Sequence, residues 1–88
     1  RDAAGIAHTV VTYPDGFATD VWQDAGLQHT VIFVTRAFAW SDGGTNAIAI
    51  EPQTAPTDAF NSGTDLTWLA PGEDLAVRWG IAVVSPTT

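Results

Sequence analysis

Residues 47–63 read A-I-A-I-E-P-Q-T-A-P-T-D-A-F-N-S-G, and the rest of the chain is organised around this stretch. Its first residues alternate between alanine and isoleucine, as expected of a β-strand. Ile48 and Ile50 would point to one face, and the alanines and Glu51 to the other. Because alanine is small, the second face leaves room for a ligand beside the Glu51 carboxylate. Pro52 is expected to end the strand, because proline has no N–H to donate to a neighbouring strand.

A long segment without a regular hydrophobic period follows Glu51. Residues 52–63 include two prolines, and loops of this length inside a compact domain are usually functional or mobile. A carboxylate placed where a strand meets such a loop is typical of binding and catalytic sites. Asp58, Phe60 and Asn61 are expected to support the loop, since Asp and Asn side chains bond to local backbone and Phe can anchor in a core.

Short runs rich in β-branched and aromatic residues recur elsewhere, separated by turn signals. The clearest turn signal, Pro14-Asp15-Gly16, joins the first two runs into a predicted hairpin. No window carries the 3.6-residue period of a helix. The sequence therefore predicts an all-β fold, an antiparallel β-sandwich or barrel piece. The other expected strands are residues 6–13, 17–23, 28–35, 66–69 and 75–84.

The run at residues 28–35 is the strongest, because apolar residues occupy both sets of alternating positions. Val31 and Phe33 would face one way, and Ile32 and Val34 the other. Such a pattern indicates a strand that is covered on both sides or lies in an interface.

Two tryptophans have an expected place. Trp79, in the last run, occupies a position expected in the core. Trp40 precedes an expected loop at residues 41–46 and is a candidate for stacking on a sugar. Residues 36–40 themselves do not favour one type of structure.

Composition restricts the classes of function. The chain has ten acidic residues, three basic residues and a formal net charge of −7. Phosphate binding depends on basic side chains, so nucleic acid and anionic membranes are poor candidates for partners. The absence of cysteine excludes a disulfide framework and a thiolate metal site. No apolar run is long enough to span a membrane as a helix.

The length of 88 residues fits one segment or small domain, residues 1–88, whose own core would be marginal. Four tryptophans and four phenylalanines are many for so short a chain. The sequence has no methionine, begins with Arg1 and shows no signal-peptide pattern. These features predict a piece of a larger protein, for which a cytoplasmic location is expected.

The second half of the chain carries a series of short motifs around Glu51: Glu51-Pro52, Pro56, Asp58-Ala59-Phe60-Asn61, Leu69, Pro71-Gly72-Glu73 and Trp79-Gly80-Ile81. In this order and spacing they resemble the C-terminal part of the aldose 1-epimerase (galactose mutarotase) family. The fold of that family is a large antiparallel β-sandwich, much longer than this chain. The resemblance therefore implies the C-terminal portion of such a supersandwich.

The resemblance also implies an isomerase that interconverts the α and β anomers of hexoses such as galactose and glucose, with no cofactor and no metal. Glu51 occupies the position of the catalytic base of the family. The base removes the proton of the anomeric hydroxyl while an acid protonates the ring oxygen. The ring opens, and closure after rotation about the C1–C2 bond gives the other anomer.

The acid of the family is a histidine far upstream of the Glu-Pro motif. The chain contains only His8 and His29, and neither matches the family's histidine motifs. The acid is therefore expected in a missing N-terminal part of the same domain, and the 88-residue chain alone is expected to be inactive. Gly26-Leu27-Gln28 resembles a family segment whose glutamine contacts sugar, which makes Gln28 a candidate substrate-binding residue.

Two other interpretations stay open. The chain could belong to a carbohydrate-binding β-sandwich that does not turn its ligand over, or act structurally as one piece of a two-chain sandwich. Loss of the acid histidine upstream would favour binding, and co-purification of a larger polypeptide would favour the two-chain form. Glu51 could also be a loop carboxylate that caps backbone N–H groups, and His8 and His29 surface or packed residues.

Overall fold

The computed structural model describes residues 1–38 and 45–86. Within them the strands form two antiparallel sheets, one in the order β1-β2-β5 and one made of β3 and β4. The prediction of an all-β fold is confirmed, since the helix is a single turn. The elements are β1 (Ala7–Thr12), β2 (Ala18–Gln23), β3 (His29–Phe38), β4 (Thr45–Gln53), α1 (Ala59–Ser62) and β5 (Trp79–Val84).

The predicted first hairpin is confirmed, with β1 paired to β2. Its turn is closed by the Tyr13 N–H, which donates to the Phe17 carbonyl at 2.9 Å. The Asp15 carboxylate accepts the Phe17 N–H at 3.0 Å, and Gly16 has a φ of 91°. Glycine adopts this left-handed conformation without the strain that a side chain would bring. Turn chemistry in the sequence therefore fixes the register of this hairpin.

The last strand, β5, returns to the first hairpin and pairs with β2. The ladder ends at the pair Gln23 and Trp79. Beyond it the Asp24 N–H donates to the Arg78 carbonyl at 2.9 Å, and the Asp24 carboxylate accepts the Arg78 N–H at 2.8 Å. The strand expected over residues 75–84 therefore begins only at Trp79, because the partner strand ends at this turn.

Trp22 lies directly against β5 because its partner there, Gly80, has no side chain. A Cβ atom at Gly80 would lie 2.6 Å from the indole of Trp22. The glycine of the Trp79-Gly80-Ile81 motif is thus required for close packing within this sheet.

The second sheet shows the alternation expected from the sequence. Ile48 and Ile50 of β4 are paired with Val34 and Ile32 of β3 and share one face with them. Glu51 lies on the opposite face, paired with Val31. Paired residues of antiparallel strands point to the same side, so the face of Glu51 follows from the register.

Two expectations for this part of the chain are corrected. Pro52 does not end the strand: β4 continues to Gln53, and Pro52 is paired with Thr30. Proline is tolerated here because, within residues 1–38 and 45–86, β4 has a partner strand on only one side. The strand expected over residues 66–69 does not form, since none of the described strands pairs with it. Trp40 and the first part of the loop expected at 41–46 lie outside the described residues.

The two sheets contact each other through a small apolar interior. A cavity of ≈ 170 Å³ lies between them, and β4 contributes Ile48 and Ile50 to its wall. The remaining wall comes from the three-stranded sheet and its first turn: Val11, Tyr13, Thr19, Val21 and Ile81. The buried apolar residues in the described part of the chain are few: Val21, Leu27 and Ala59.

Large apolar side chains remain exposed on both sheets. Phe33 is 58% exposed, Ile81 61% and Val83 72%. Trp79, which is expected in the core, lies at the end of the ladder between β2 and β5 and is 56% exposed. The apolar faces of this chain are therefore larger than the core that its described residues can form.

Among the residues that the structure describes, a single buried polar side chain connects the sheets. Gln23 is 1% exposed, and its amide nitrogen donates to the carbonyls of Leu27 at 2.8 Å and His29 at 3.0 Å. Its amide oxygen accepts the Thr30 hydroxyl at 2.8 Å. The Arg1 guanidinium also donates to the Leu27 carbonyl, at 2.8 Å. These bonds attach the beginning of β3 to the end of β2, which sets the relative position of the two sheets.

Candidate functional site

The candidate base, Glu51, lies on the outer face of the sheet formed by β3 and β4. Ala47 and Ala49 precede it on the same face, and Val31 lies opposite it on β3. The alanines form the small-residue surface that the sequence predicts. Glu51 itself is exposed. The desolvation that a catalytic carboxylate needs is therefore not supplied by the described residues, and would have to come from groups that cover this face.

A groove runs beside the segment that follows β4. It has a volume of ≈ 500 Å³, and Leu27 and Ala59, both buried, form its apolar floor. The rest of its lining comes from the segment after Glu51 and from two side chains further on: Pro52, Gln53, Thr54, Ala55, Pro56, Thr57, Phe60 and Leu66. Glu51 does not line the groove but lies two residues before Gln53, at its edge.

The short helix α1 closes this segment through local hydrogen bonds. The Asn61 side chain donates to the Asp58 carboxylate at 2.8 Å, and the Ser62 N–H donates to the Asp58 carbonyl at 2.9 Å. The helix ends at Gly63, whose φ of 72° lets its N–H reach the Ala59 carbonyl at 2.8 Å. Asp58 and Asn61 thus hold the turn that carries one wall of the groove.

Phe60 does not anchor the segment in a core, contrary to expectation. Its side chain is 94% exposed. The single turn of α1 directs Ala59 inward, where it is 6% exposed, and the next residue therefore points outward. Phe60 borders the groove instead.

Gln28, the candidate sugar-binding residue, is exposed and lies just before β3. The residue paired with Glu51 is Val31 rather than Gln28. The register therefore does not place Gln28 directly opposite the candidate base.

The structure joins two residues that the sequence does not connect. His29 Nε2 lies 2.8 Å from Asp65 Oδ2. His29 is paired with Gln53, two pairs along the ladder from Glu51, so it lies on the same face of the sheet as Glu51. Alternation along residues 28–35 indicates which residues share a face with His29. Its partner Asp65, however, lies in a segment expected to precede a strand that does not form.

The other histidine is held far from Glu51. His8 Nδ1 lies 2.9 Å from Asp20 Oδ2, and His8 Nε2 lies 2.9 Å from Asp2 Oδ2. The next residue of β1, Thr9, is paired with Val21, which lines the cavity between the sheets. His8 therefore points to the opposite, outer face of the three-stranded sheet. Both sheets therefore separate His8 from Glu51, and His8 cannot serve as the acid at the same site in this chain.

This cluster has a defined dependence on pH. Hydrogen bonds to Asp2 and then to Asp20 raise the pKa of His8, and the hydrogen bond from His8 followed by that from the Ile6 N–H lowers the pKa of Asp2. The stability from His8 is complete below its ordinary pKa of 6.5 and is lost as the pH rises through the raised value. The stability from Asp2 is present above its ordinary pKa of 3.8 and is lost as the pH falls through the lowered value. The cluster is strongest between these two ordinary values.

We expect the NMR titration midpoint of the His8 ring to lie above 6.5 and to fall toward this value in Asp2→Asn and in Asp20→Asn. Each substitution replaces the negatively charged carboxylate beside one ring nitrogen with a neutral amide. Asp15→Asn, in the turn between β1 and β2, serves as the control and should leave the midpoint unchanged. A midpoint that neither Asp2→Asn nor Asp20→Asn alters would contradict this account of the cluster.

Comparison with protein-family models finds no family that matches the chain. Comparisons with curated proteins and with solved structures likewise find no match. Among the described residues, no group of three or more His, Asp or Glu side chains is arranged to hold a metal ion. The same residues include no helix with the length and apolar character needed to cross a membrane. The resemblance to aldose 1-epimerases stays a prediction from the sequence.

Proposed function

We propose that the chain is the C-terminal portion of an aldose 1-epimerase-like β-sandwich and that Glu51 is the base of its active site. The observation that carries the proposal is the position of Glu51 within its motif. The carboxylate stands at the end of a strand, above two alanines, and is followed by a segment that lines a groove. This arrangement supports a site that binds one monosaccharide beside the carboxylate.

The exposed apolar faces support the larger sandwich. Ile81 and Val83 share one face of the three-stranded sheet; Ile81 is 61% exposed although it lines the cavity between the sheets, and Val83 is 72% exposed. Phe33 lies exposed on the same outer face as Glu51. Preceding strands of the same domain would cover both regions and would remove water from around the Glu51 carboxylate.

In the proposed reaction, the Glu51 carboxylate removes the proton of the anomeric hydroxyl. The C1–O5 bond breaks, and the ring oxygen takes a proton from the acid, which belongs to the upstream part of the domain. The open-chain aldehyde rotates about its C1–C2 bond and closes in the reverse sense. Protons only exchange places, so the reaction requires no oxidant, reductant or cofactor.

Polarimetry of freshly dissolved α-D-galactose and α-D-glucose tests this proposal. The 88-residue chain alone should not accelerate the approach to anomeric equilibrium, because the acid is missing. The polypeptide that also carries the preceding strands should accelerate it. If the longer polypeptide leaves the rate at that of buffer alone, the assignment as an epimerase is wrong.

Binding without turnover is the second candidate. It is favoured by the exposure of Glu51 and by the position of His8 behind both sheets. In this case the longer polypeptide would bind galactose or glucose in calorimetry, and the optical rotation would change no faster than in buffer. The same pair of measurements therefore separates an enzyme from a binding protein.

A further inference from the structure

The pair formed by His29 and Asp65 has the form of a fixed hydrogen-bonding group. The distance of 2.8 Å between His29 Nε2 and Asp65 Oδ2 is that of a strong hydrogen bond to a carboxylate. In a neutral ring, a carboxylate at Nε2 favours the tautomer with the proton on this nitrogen, which leaves Nδ1 as an acceptor. The other described atoms make no hydrogen bond to Nδ1.

Asp65 has an uncommon backbone conformation within a turn in which the Leu66 N–H donates to the Gly63 carbonyl at 3.3 Å. Its φ is 53°, and it is the one non-glycine residue with positive φ in the described part of the chain. Conformations of this kind cost free energy and persist where other interactions require them. The neighbouring Leu66 lines the groove, so the pair stands at the border of the groove rather than on a remote surface.

The register places this pair beside the candidate base. His29 is paired with Gln53, and Val31 with Glu51, all on one face. Diagonal neighbours on such a face lie roughly 7–8 Å apart, which one pyranose ring with its hydroxyl groups can bridge. Gln53 lies directly opposite His29 and next to Glu51 on this face of β4, and it also lines the groove.

The chemistry of these groups favours a neutral polyhydroxylated ligand. The Glu51 carboxylate and the His29 Nδ1 accept hydrogen bonds from hydroxyl groups, and the Gln53 amide both donates and accepts. Val31 offers an apolar surface for the C–H groups of a sugar ring. A phosphate or carboxylate ligand would meet the negative charge of Glu51 and of a chain with a net charge of −7.

We propose that His29, oriented by Asp65, and Gln53 bind hydroxyl groups of a neutral pyranose whose anomeric end lies at Glu51. This inference rests on the proposed function for the position of the anomeric end. His29 acts here as a binding residue that accepts a hydrogen bond, and the proton donor of the reaction is a different group.

The test uses methyl β-D-galactopyranoside, whose blocked anomeric carbon cannot interconvert. The chain has two histidines, so their ring protons give two resolved sets of NMR signals. Titration of the 88-residue chain with this glycoside at pH 7 should shift the His29 signals saturably. The His8 signals, on the other side of both sheets, should stay in place and provide an internal control.

Variants then measure the contribution of the pair. His29→Gln and Asp65→Asn should each weaken binding of the glycoside roughly two- to tenfold, as expected for one hydrogen bond. Asp15→Asn makes the same change of charge in the distant β1–β2 turn and should leave the affinity unchanged. Amide NMR spectra of each variant report whether the fold is retained, and Asp65→Asn tests the pair without altering the ring.

The outcomes separate this inference from the proposed function. Binding that depends on His29 and Asp65, with no acceleration of mutarotation by the longer polypeptide, would retain the inference and reject the epimerase. If the longer polypeptide accelerates mutarotation and its KM is unchanged by His29→Gln and Asp65→Asn, the epimerase is retained and the inference is rejected. His29 signals that do not move in the presence of saturating glycoside would overturn the inference.

Discussion

Replacing Glu51 with glutamine is expected to slow anomer interconversion by about 10²–10⁴-fold in the polypeptide that contains both this chain and the acid. Glutamine has nearly the shape of glutamate and keeps an oxygen that accepts hydrogen bonds, but it cannot take a proton from the anomeric hydroxyl. The loss should appear in kcat, with KM little changed, because the carboxylate takes up the proton in the transition state, whereas binding needs only the hydrogen-bond acceptor that glutamine keeps.

The chain offers a matched control in its other glutamate. Glu73 accepts the Ala70 N–H at 2.7 Å within an exposed turn, and glutamine can keep this bond. Glu73→Gln should therefore leave the rate of mutarotation unchanged in the same polarimetric assay. Near-normal turnover in Glu51→Gln would remove this carboxylate from the mechanism, whatever the control shows.

Local rules of sequence predict much of the fold. Alternation of Ile48 and Ile50 with alanine places Glu51 on the correct face, and the Pro14-Asp15-Gly16 signal gives the first hairpin. Both depend on neighbouring residues alone, because a strand alternates its side chains with a period of two and a turn is set by a few φ angles.

Features that depend on distant pairing are not predicted. The ladder between β2 and β5 ends at the turn around Asp24, and the sequence of β5 does not reveal where its partner stops. Pro52 continues a strand because β4 has a neighbour on only one side in the described part of the chain. The contact between His29 and Asp65 spans 36 positions along the chain, and no local pattern joins them.

The sequence also gives no indication that Gln23 is the most buried polar residue described. It follows Trp22 in a strand whose alternation is weak, and glutamine is usually exposed. Its burial results from the arrangement of residues 27–30 around one amide, which can be recognised only once the sheets are assembled.

Replacing Gln23 with alanine is expected to lower the free energy of unfolding by about 3 kcal/mol. The substitution removes the hydrogen bonds to the His29 carbonyl and the Thr30 hydroxyl and leaves a cavity at a site that is 1% exposed. Gln28→Ala, at an exposed position just before β3, should change stability by less than about 0.5 kcal/mol. Urea unfolding followed by circular dichroism measures both.

A second substitution separates hydrogen bonding from packing. Gln23→Leu fills most of the same volume but cannot form the hydrogen bonds to residues 27–30, so it should retain most of the destabilisation if these bonds dominate. Stability equal to that of the unchanged chain in Gln23→Leu would show that this network is not what connects the sheets. If the network does connect them, its loss also frees the beginning of β3. His29 and the partner strand of Glu51 would then lose their fixed position, so sugar affinity should fall together with stability.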